Sequence, residues 1–314
     1  MRVVFLGNDP WSVPSLEALD AADGIDVELV ITNPPRPAGR GARLTPTPVA
    51  EAARHGGIPL AEVAGVRDGA GSAFVDEARP DAMIVVAYGE ILPARVLDVP
   101  RLGTVNLHFS LLPRWRGAAP VQRAILEGDD VTGVSVMLLD EGLDTGPVLA
   151  SLEAPIHPDD DAGGLGERLA RLGAPLLVEH LRALGAGTAV PVSQNEAAAT
   201  YAAKPRPEER VIDWADEADP IVRRVRAFAP TPGATTTFRN VTLKVLRAVA
   251  RGEGDTPESA GSPGEVFVGR DGVPLVATSV GEVALLEVAP AGRARMSGAD
   301  WARGARLERG ERCT

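Results

Sequence analysis

Apolar positions in the first part of the chain fall into short continuous runs separated by amphipathic stretches, the pattern of buried strands alternating with helices. The run RVVFLG at residues 2–7 predicts a strand that Gly7 ends in a tight turn. Ser12 with Pro14 then opens a helix to residue 21, and a strand over 26–31 completes a βαβ unit. The alternation continues with a helix over 49–55, a strand over 58–63, a helix over 71–78, and strands over 81–87 and 104–108. A helix over 118–127 and strands over 131–139 and 148–156 follow. Leu165, Leu169, Leu172, Leu176 and Leu184 recur at helical spacing, so residues 163–184 are expected as a long helix packed on the sheet.

Beyond residue 200 the pattern changes. The polar segment YAAKPRPEE, 201–209, reads as a linker. A short helix over 220–228 precedes β-like runs at 241–249, 265–268, 274–278 and 282–288, separated by Gly, Asp and Pro turns. That spacing predicts a small β barrel or sandwich. The insert at 252–264, rich in Gly, Ser, Pro and acids, is expected to be a mobile loop. The fold class is therefore α/β: a Rossmann-like, mostly parallel sheet over residues 1–205, then a small β-barrel domain over 206–314.

Composition adds exclusions. The chain has 314 residues, 45% hydrophobic and 24% charged, which fits a folded protein with room for two cores. No apolar run approaches the roughly 20 residues that span a bilayer. A strand starting at Arg2 leaves no room for a signal peptide, so a cytoplasmic address is expected. The single cysteine, Cys313, excludes disulfides within the chain and is expected to be exposed and incidental. Nothing demands more than a monomer. Net charge is −11, yet residues 206–314 hold 16 basic and 16 acidic groups, so the first 205 carry the whole excess. A polyanion would need a local basic patch. One exists in NPPRPAGRGARLTPTP, 33–48, where Arg36, Arg40 and Arg43 stand without an acidic neighbour. Its Pro and Gly content argues against helix and strand alike. A solvated loop and a contact for a phosphate backbone both remain open there.

Candidate chemistry narrows by elimination. The turn GNDPWS lacks the G-x-G-x-x-G of a dinucleotide site, no G-x-S-x-G elbow surrounds Ser110, and one histidine near the candidate centre is too few for a catalytic zinc. His157 and His180 read as structural or exposed. What remains is the stretch from Thr104 to Pro147. Asn106 and His108, two apart on a strand, project to one side, and Asp144 in the glycine-punctuated DEGLDTG loop could return to meet His108. An amide, an imidazole and a carboxylate suit acyl transfer to an amine. Asn106 would donate to the oxyanion, His108 would donate or move protons, and Asp144 would fix the imidazole tautomer. The same Asn-x-His pair is equally readable as a satisfied polar pair in a core. Leu111, Leu112 and Pro113 can wall an apolar slot, with Arg114, Trp115 and Arg116 meeting an anionic or aromatic group.

The segments VVAYG with ILP, NLH with SLLP, RWRGAAP, DEGLDTG and RPAGRG together resemble the methionyl-tRNA formyltransferase family of formyltetrahydrofolate-dependent transferases, over the whole chain. That resemblance implies that Asn106, His108 and Asp144 are the catalytic set and that 10-formyltetrahydrofolate is the co-substrate, without a metal. It implies a folate pocket bordered by Tyr88, Gly89, Ile91, Leu92, Ser110, Leu111, Leu112, Pro113, Asp140 and Gly142. It also implies initiator methionyl-tRNA as partner, the loop of Arg36, Arg40 and Arg43 inserting into its acceptor stem, and an OB-like C-terminal barrel supporting it. Departures from the family pattern are Pro35, where Asp is common, Phe109, expected to narrow the folate slot, and Asn8-Asp9-Pro10 after the first strand. Two rivals stand beside this reading. One is a formyltransferase acting on a small amine such as a nucleotide sugar or purine precursor. The other is a non-catalytic RNA-binding protein on the same fold.

Overall fold

The structure is a computed structural model and describes residues 1–38, 43–67, 69–251, 261–308 and 310–314. The chain opens with β1 (Arg2–Gly7), a 3-10 turn at Pro10–Ser12, α1 (Val13–Asp20) and β2 (Asp26–Thr32). A short β3 (Arg36–Ala38) and β4 (Arg43–Thr45) follow, then α2 (Pro48–Gly56), β5 (Leu60–Glu62), α3 (Ala70–Ala78) and β6 (Ala82–Val86). Next come α4 (Ala94–Leu97), β7 (Thr104–His108), α5 (Pro120–Glu127), β8 (Val131–Leu138), β9 (Val148–Pro155) and α6 (Ala162–Gly185).

Seven of these strands form one sheet in the order β5-β2-β1-β6-β7-β8-β9. The pairs from β5 to β7 are parallel, and β8 and β9 join antiparallel. Strand order reverses between β1 and β6, which opens a crevice above their C-terminal ends. Val3, Val4, Phe5, Leu6, Met83, Ile84 and Leu107 are essentially inaccessible, as strands covered on both faces require.

The buried face of α6 differs from the expected leucine stripe. Leu165, Leu169, Leu177 and Leu181 are buried, whereas Leu172 is 36% exposed. Gly166 and Gly173 decide this. A Cβ on Gly166 would lie 2.1 Å from the Trp11 ring, and one on Gly173 would lie 2.8 Å from Leu107, so the helix approaches along its glycines. Leucine counting alone missed that face.

A second correction concerns residues 33–48. β3 and β4 pair antiparallel, Arg36 with Thr45 and Ala38 with Arg43, so the arginine-rich segment is a hairpin and not an irregular loop. Pro37 is tolerated because a two-stranded ribbon has only edges, and its missing N–H removes no central bond. Arg40 lies outside the described residues, as do residues 252–260 of the insert expected to be mobile.

The second unit comprises Lys204–Thr314 together with Val121–Asp130 and Ile156–Leu165. It contains α7 (Ala218–Phe228), β10 (Ala234–Phe238), β11 (Val241–Arg251), β12 (Val266–Val268), β13 (Pro274–Ala277), β14 (Glu282–Pro290), β15 (Met296–Ser297) and α8 (Gly298–Ala305). β10 and α8 were not expected from the sequence. The sheet runs β10-β11-β14-β13-β12, with β15 added to β14. Its two edge strands are stitched by the C-terminal tail. Thr237 and Thr314 exchange bonds of 2.6 and 2.9 Å, Cys313 N–H donates to Gly264 O at 2.8 Å, and Val266 N–H donates to Glu311 O at 2.8 Å. Both edges are thereby paired, closing the sheet into a barrel. Trp214, Ile221, Val225, Val245, Leu285, Val288, Trp301 and Cys313 share its core, and Trp301 meets Phe238 edge-on at 5.2 Å. Within this unit Arg123 forks on Glu209, which with the backbone N–H of Arg206 holds that carboxyl down to about 2.

Cys313 is therefore buried, 2% exposed, and not an incidental surface residue. Burial pushes its thiol up from 9.0 to about 12. The folded thiol keeps its proton to higher pH than the unfolded one, so this contribution is complete below the unfolded value and is lost as pH climbs toward the folded one. Urea unfolding above pH 9 should show wild type losing up to about 1.4 kcal/mol per pH unit more than Cys313→Ala. Equal slopes would contradict the burial argument.

Candidate active site

β7 lies between β6 and β8 and places Asn106 opposite Val85 and Met137, and His108 opposite Ser135. Alternation along the strand turns Asn106 and His108 to one face and Leu107 to the other. Just past the strand, Phe109 continues the far side and packs against Trp11 with the rings tilted, centroids 5.7 Å apart at 60°. Phe109 thus belongs to the packing beneath α6 and does not narrow the slot beside His108.

Asn106 is 8% exposed, and its carboxamide makes no hydrogen bond among the described residues. A nearly buried amide normally finds partners, because leaving one unsatisfied costs about 1–3 kcal/mol. Its N–H groups are free to donate to a ligand oxygen.

His108 is held differently. Its Nε2 lies 2.8 Å from Trp115 O, and a carbonyl only accepts, so Nε2 carries the proton. Nδ1 faces Asp144 Oδ2 at 3.7 Å, too far for a direct hydrogen bond but within reach of a bridging atom. The tautomer is therefore set by the Trp115 carbonyl and not by Asp144, contrary to expectation. Asp144 Oδ2 accepts from Gly117 N–H at 2.8 Å.

The Leu111 to Ala119 loop is anchored beneath. Ser110 Oγ donates to Arg114 O at 2.6 Å, and Ser135 Oγ donates to Ser110 O at 2.8 Å and accepts from Leu112 N–H at 3.1 Å. Ser110 is fully buried, so it shapes the loop and presents nothing to a ligand. Arg116, expected to meet a ligand, is also fully buried; it forks on Glu196 at 2.7 and 2.9 Å and holds that carboxyl below its usual range. Trp115 is 8% exposed with the Arg114 guanidinium 4.4 Å above its ring.

At the switch point, Asn8 gathers the strand ends. Its amide N–H donates to Tyr88 O, and its Oδ1 accepts from Thr32 Oγ1 at 2.9 Å and Asn33 N–H at 2.7 Å. In the sequence Asn8 stands out only as a departure from the family pattern. Tyr88 and Leu92 side chains join the core with Val4, Leu6, Ile31 and Met83, while Ile91 is 59% exposed. The Tyr88 hydroxyl has no partner among the described residues, and burial, then the Glu90 carboxylate, pushes its phenol up. Gly89 has φ +83, a turn that favours glycine. Asp140 Oδ1 accepts from Gly142 N–H at 3.0 Å and Thr145 Oγ1 at 2.6 Å, so it builds its own loop. Among the described residues no group of three or more His, Cys, Asp or Glu is placed to hold a metal.

Comparison with known proteins identifies the family. The formyl transferase family model matches residues 1–181, and the model of the formyl transferase C-terminal domain matches 204–306. The chain belongs to the formyl transferase family. It is 47% identical over 312 residues to the methionyl-tRNA formyltransferase of Halorhodospira halophila, covering 99% of this chain and 98% of that one. With the enzyme of the same name from Streptomyces griseus it shares 45% over 314 residues, 99% of each chain. Among solved structures, an N-formyltransferase from Helicobacter canadensis, with folinic acid and dTDP-3-aminofucose, shares the fold at a TM-score of 0.66 and 18% identity, over 90% of this chain and 98% of that one. HypX from Aquifex aeolicus, with tetrahydrofolic acid, gives 0.66 and 19% over 96% of this chain and 47% of that one.

Gly117 joins the two halves of the site. Its φ is +119, and a Cβ there would lie 2.9 Å from Ala202 O. Gly117→Ala should displace the N–H that holds Asp144 and lower kcat by at least about tenfold, with a strain cost of about 1–3 kcal/mol. Steady-state kinetics beside thermal unfolding checks both.

Proposed function

We infer that this chain transfers the formyl group of 10-formyltetrahydrofolate to the amino group of methionine on initiator methionyl-tRNA, for translation initiation. The observation that carries the chemistry is the unpaired, nearly buried Asn106 carboxamide beside the His108–Asp144 pair. Near-full-length identity to methionyl-tRNA formyltransferases carries the choice of substrates.

The folate supplies a formyl group bound to nitrogen. Asn106 donates to the formyl oxygen as negative charge develops there, a role commonly worth about 3 kcal/mol in a transition state. His108, its Nε2–H committed to Trp115, works through Nδ1: neutral, it accepts a proton there, and charged, it donates a second bond to the oxygen. Asp144 helps remove the proton from the attacking amine, directly or through a water lying beside the pair and bonded to both it and His108, whose facing atoms are 3.7 Å apart. The tetrahedral intermediate then collapses by breaking the formyl carbon's bond to the folate nitrogen, which takes up that proton and leaves. Ile91, Leu111, Leu112 and Pro113 offer apolar surface to the folate, with Gly89 and the loop of Asp140 and Gly142 as further border. Tyr88, Leu92 and Ser110 support that border from beneath.

Arg36 and Arg43 are exposed and make no ion pair among the described residues, which suits a phosphate backbone. With Arg40 they form the proposed tRNA contact. Residues 206–314 form the proposed tRNA-binding domain, and residues 1–205 the catalytic domain. A monomer in the cytoplasm is the proposed working form. Among the described residues no helix is long and apolar enough to cross a membrane.

Purified protein, 10-formyltetrahydrofolate and charged initiator tRNA should give formylmethionyl-tRNA, whereas a nucleotide sugar or purine precursor amine should not be formylated. No product with active tRNA sinks the reading. Asn106→Ala and Asp144→Ala should lower kcat at least about 100-fold with folate affinity largely kept, as expected for interactions made in the transition state. Arg36→Ala and Arg43→Ala should instead raise KM for tRNA and flatten its salt dependence by about 0.7–0.9 for each phosphate that is no longer neutralised. An unchanged KM would mark the hairpin as passive.

A further inference from the structure

Two loops present the reacting pair. One offers Trp115 O to His108 and Gly117 N–H to Asp144; the other carries Asp144 itself. Both are held by residues 194–202, QNEAAATYA, a segment beyond α6. Gln194 Nε2 donates to Asp144 O at 2.9 Å and to Gly146 O at 2.7 Å, while its Oε1 accepts from Arg116 Nε at 3.0 Å. Carbonyl oxygens cannot donate, so the amide has one allowed orientation and both its donors are used. Two main-chain bonds, Arg116 N–H to Thr200 O at 2.9 Å and Ala202 N–H to Arg116 O at 2.7 Å, complete the strap with one to a side chain, Trp115 N–H to Thr200 Oγ1 at 2.9 Å.

The backbone at the pair explains why a strap is needed. Trp115 has φ +62 and Asp144 φ +52, left-handed conformations that are sparsely populated by side-chain-bearing residues. Such conformations persist only where surrounding bonds over-determine them. Gln194 bonds the carbonyl of Asp144 itself, and Arg116, forked on Glu196, aims Gln194. Released, Asp144 would relax toward an ordinary φ and carry its carboxylate away from Nδ1.

We propose that Gln194, oriented by the buried Arg116, is a positioning residue that fixes the Asp144 carboxylate against His108. The proposal rests on His108 and Asp144 being the reacting pair. Gln194→Glu separates positioning from bulk: it keeps the side chain's shape and an acceptor for Arg116, but turns both donors into an oxygen facing two carbonyls. In the full-length enzyme its kcat should fall about 100-fold, the usual loss for a displacement of about 1 Å at a reacting group, with KM for both substrates within about threefold and the melting temperature nearly kept. Wild-type kcat in Gln194→Glu, or a loss seen in KM alone or in step with lost thermal stability, overturns the proposal. Should Gln194→Glu not fold, Arg116→Lys carries the test. It retains a cation for Glu196 but no Nε for Gln194, and about a tenfold loss of kcat at unchanged KM is expected, wild-type kcat again overturning it. Asp144→Asn, measured alongside, keeps the two failures apart. If it is fully active, the reading of the pair is wrong whatever Gln194 does. If it is inactive while Gln194→Glu is not, only the positioning role falls.

Discussion

The bond from His108 Nε2 to the Trp115 carbonyl is the constraint on which the site depends. Because that carbonyl can only accept, the imidazole has one free nitrogen, and it is the one that faces Asp144. The rest of the neighbourhood serves to keep Trp115 O where it is. Ser110 and Ser135 brace the near side of its loop, and Thr200, Ala202 and the buried Arg116 brace the far side. With Nε2 engaged and Asn106 unpaired, the face offers one hydrogen-bonding amide and one nitrogen able to gain or lose a proton. That is the minimum an acyl transfer to an amine requires.

The two units solve their edge and core problems in different ways. In the first, parallel strands are buried on both faces, and the crevice arises where strand order reverses between β1 and β6. Asn8 closes that region by bonding the ends of strands that are far apart in sequence. In the second, an antiparallel sheet would leave β10 and β12 open, and the last four residues pair with both. Barrel closure explains why a lone cysteine one residue from the end is among the most buried groups of that unit.

Much of this could be read from the chain alone, and for local reasons. Apolar runs such as RVVFLG and DAMIVVA mark strands because burial on both faces demands continuity. Asn106 and His108 share a face because a strand has period two, which needs no knowledge of the fold. The formyl transferase family was likewise readable from segments such as RWRGAAP and DEGLDTG, which keep their residues together in sequence.

Tertiary structure decided whatever depends on groups that meet across long separations. Trp115 and not Asp144 sets the imidazole tautomer, and Arg116 turns away from any ligand because Glu196, 80 residues later, completes it. Gln194 and Thr200 left no signal, since a polar residue after a helix looks the same whether it faces water or bonds a distant loop. The arginine segment folds as a hairpin because β3 and β4 register with each other, which composition rich in Pro and Gly conceals. Periodicity is a property of neighbours in the chain; a hydrogen bond that orients an imidazole belongs to neighbours in space.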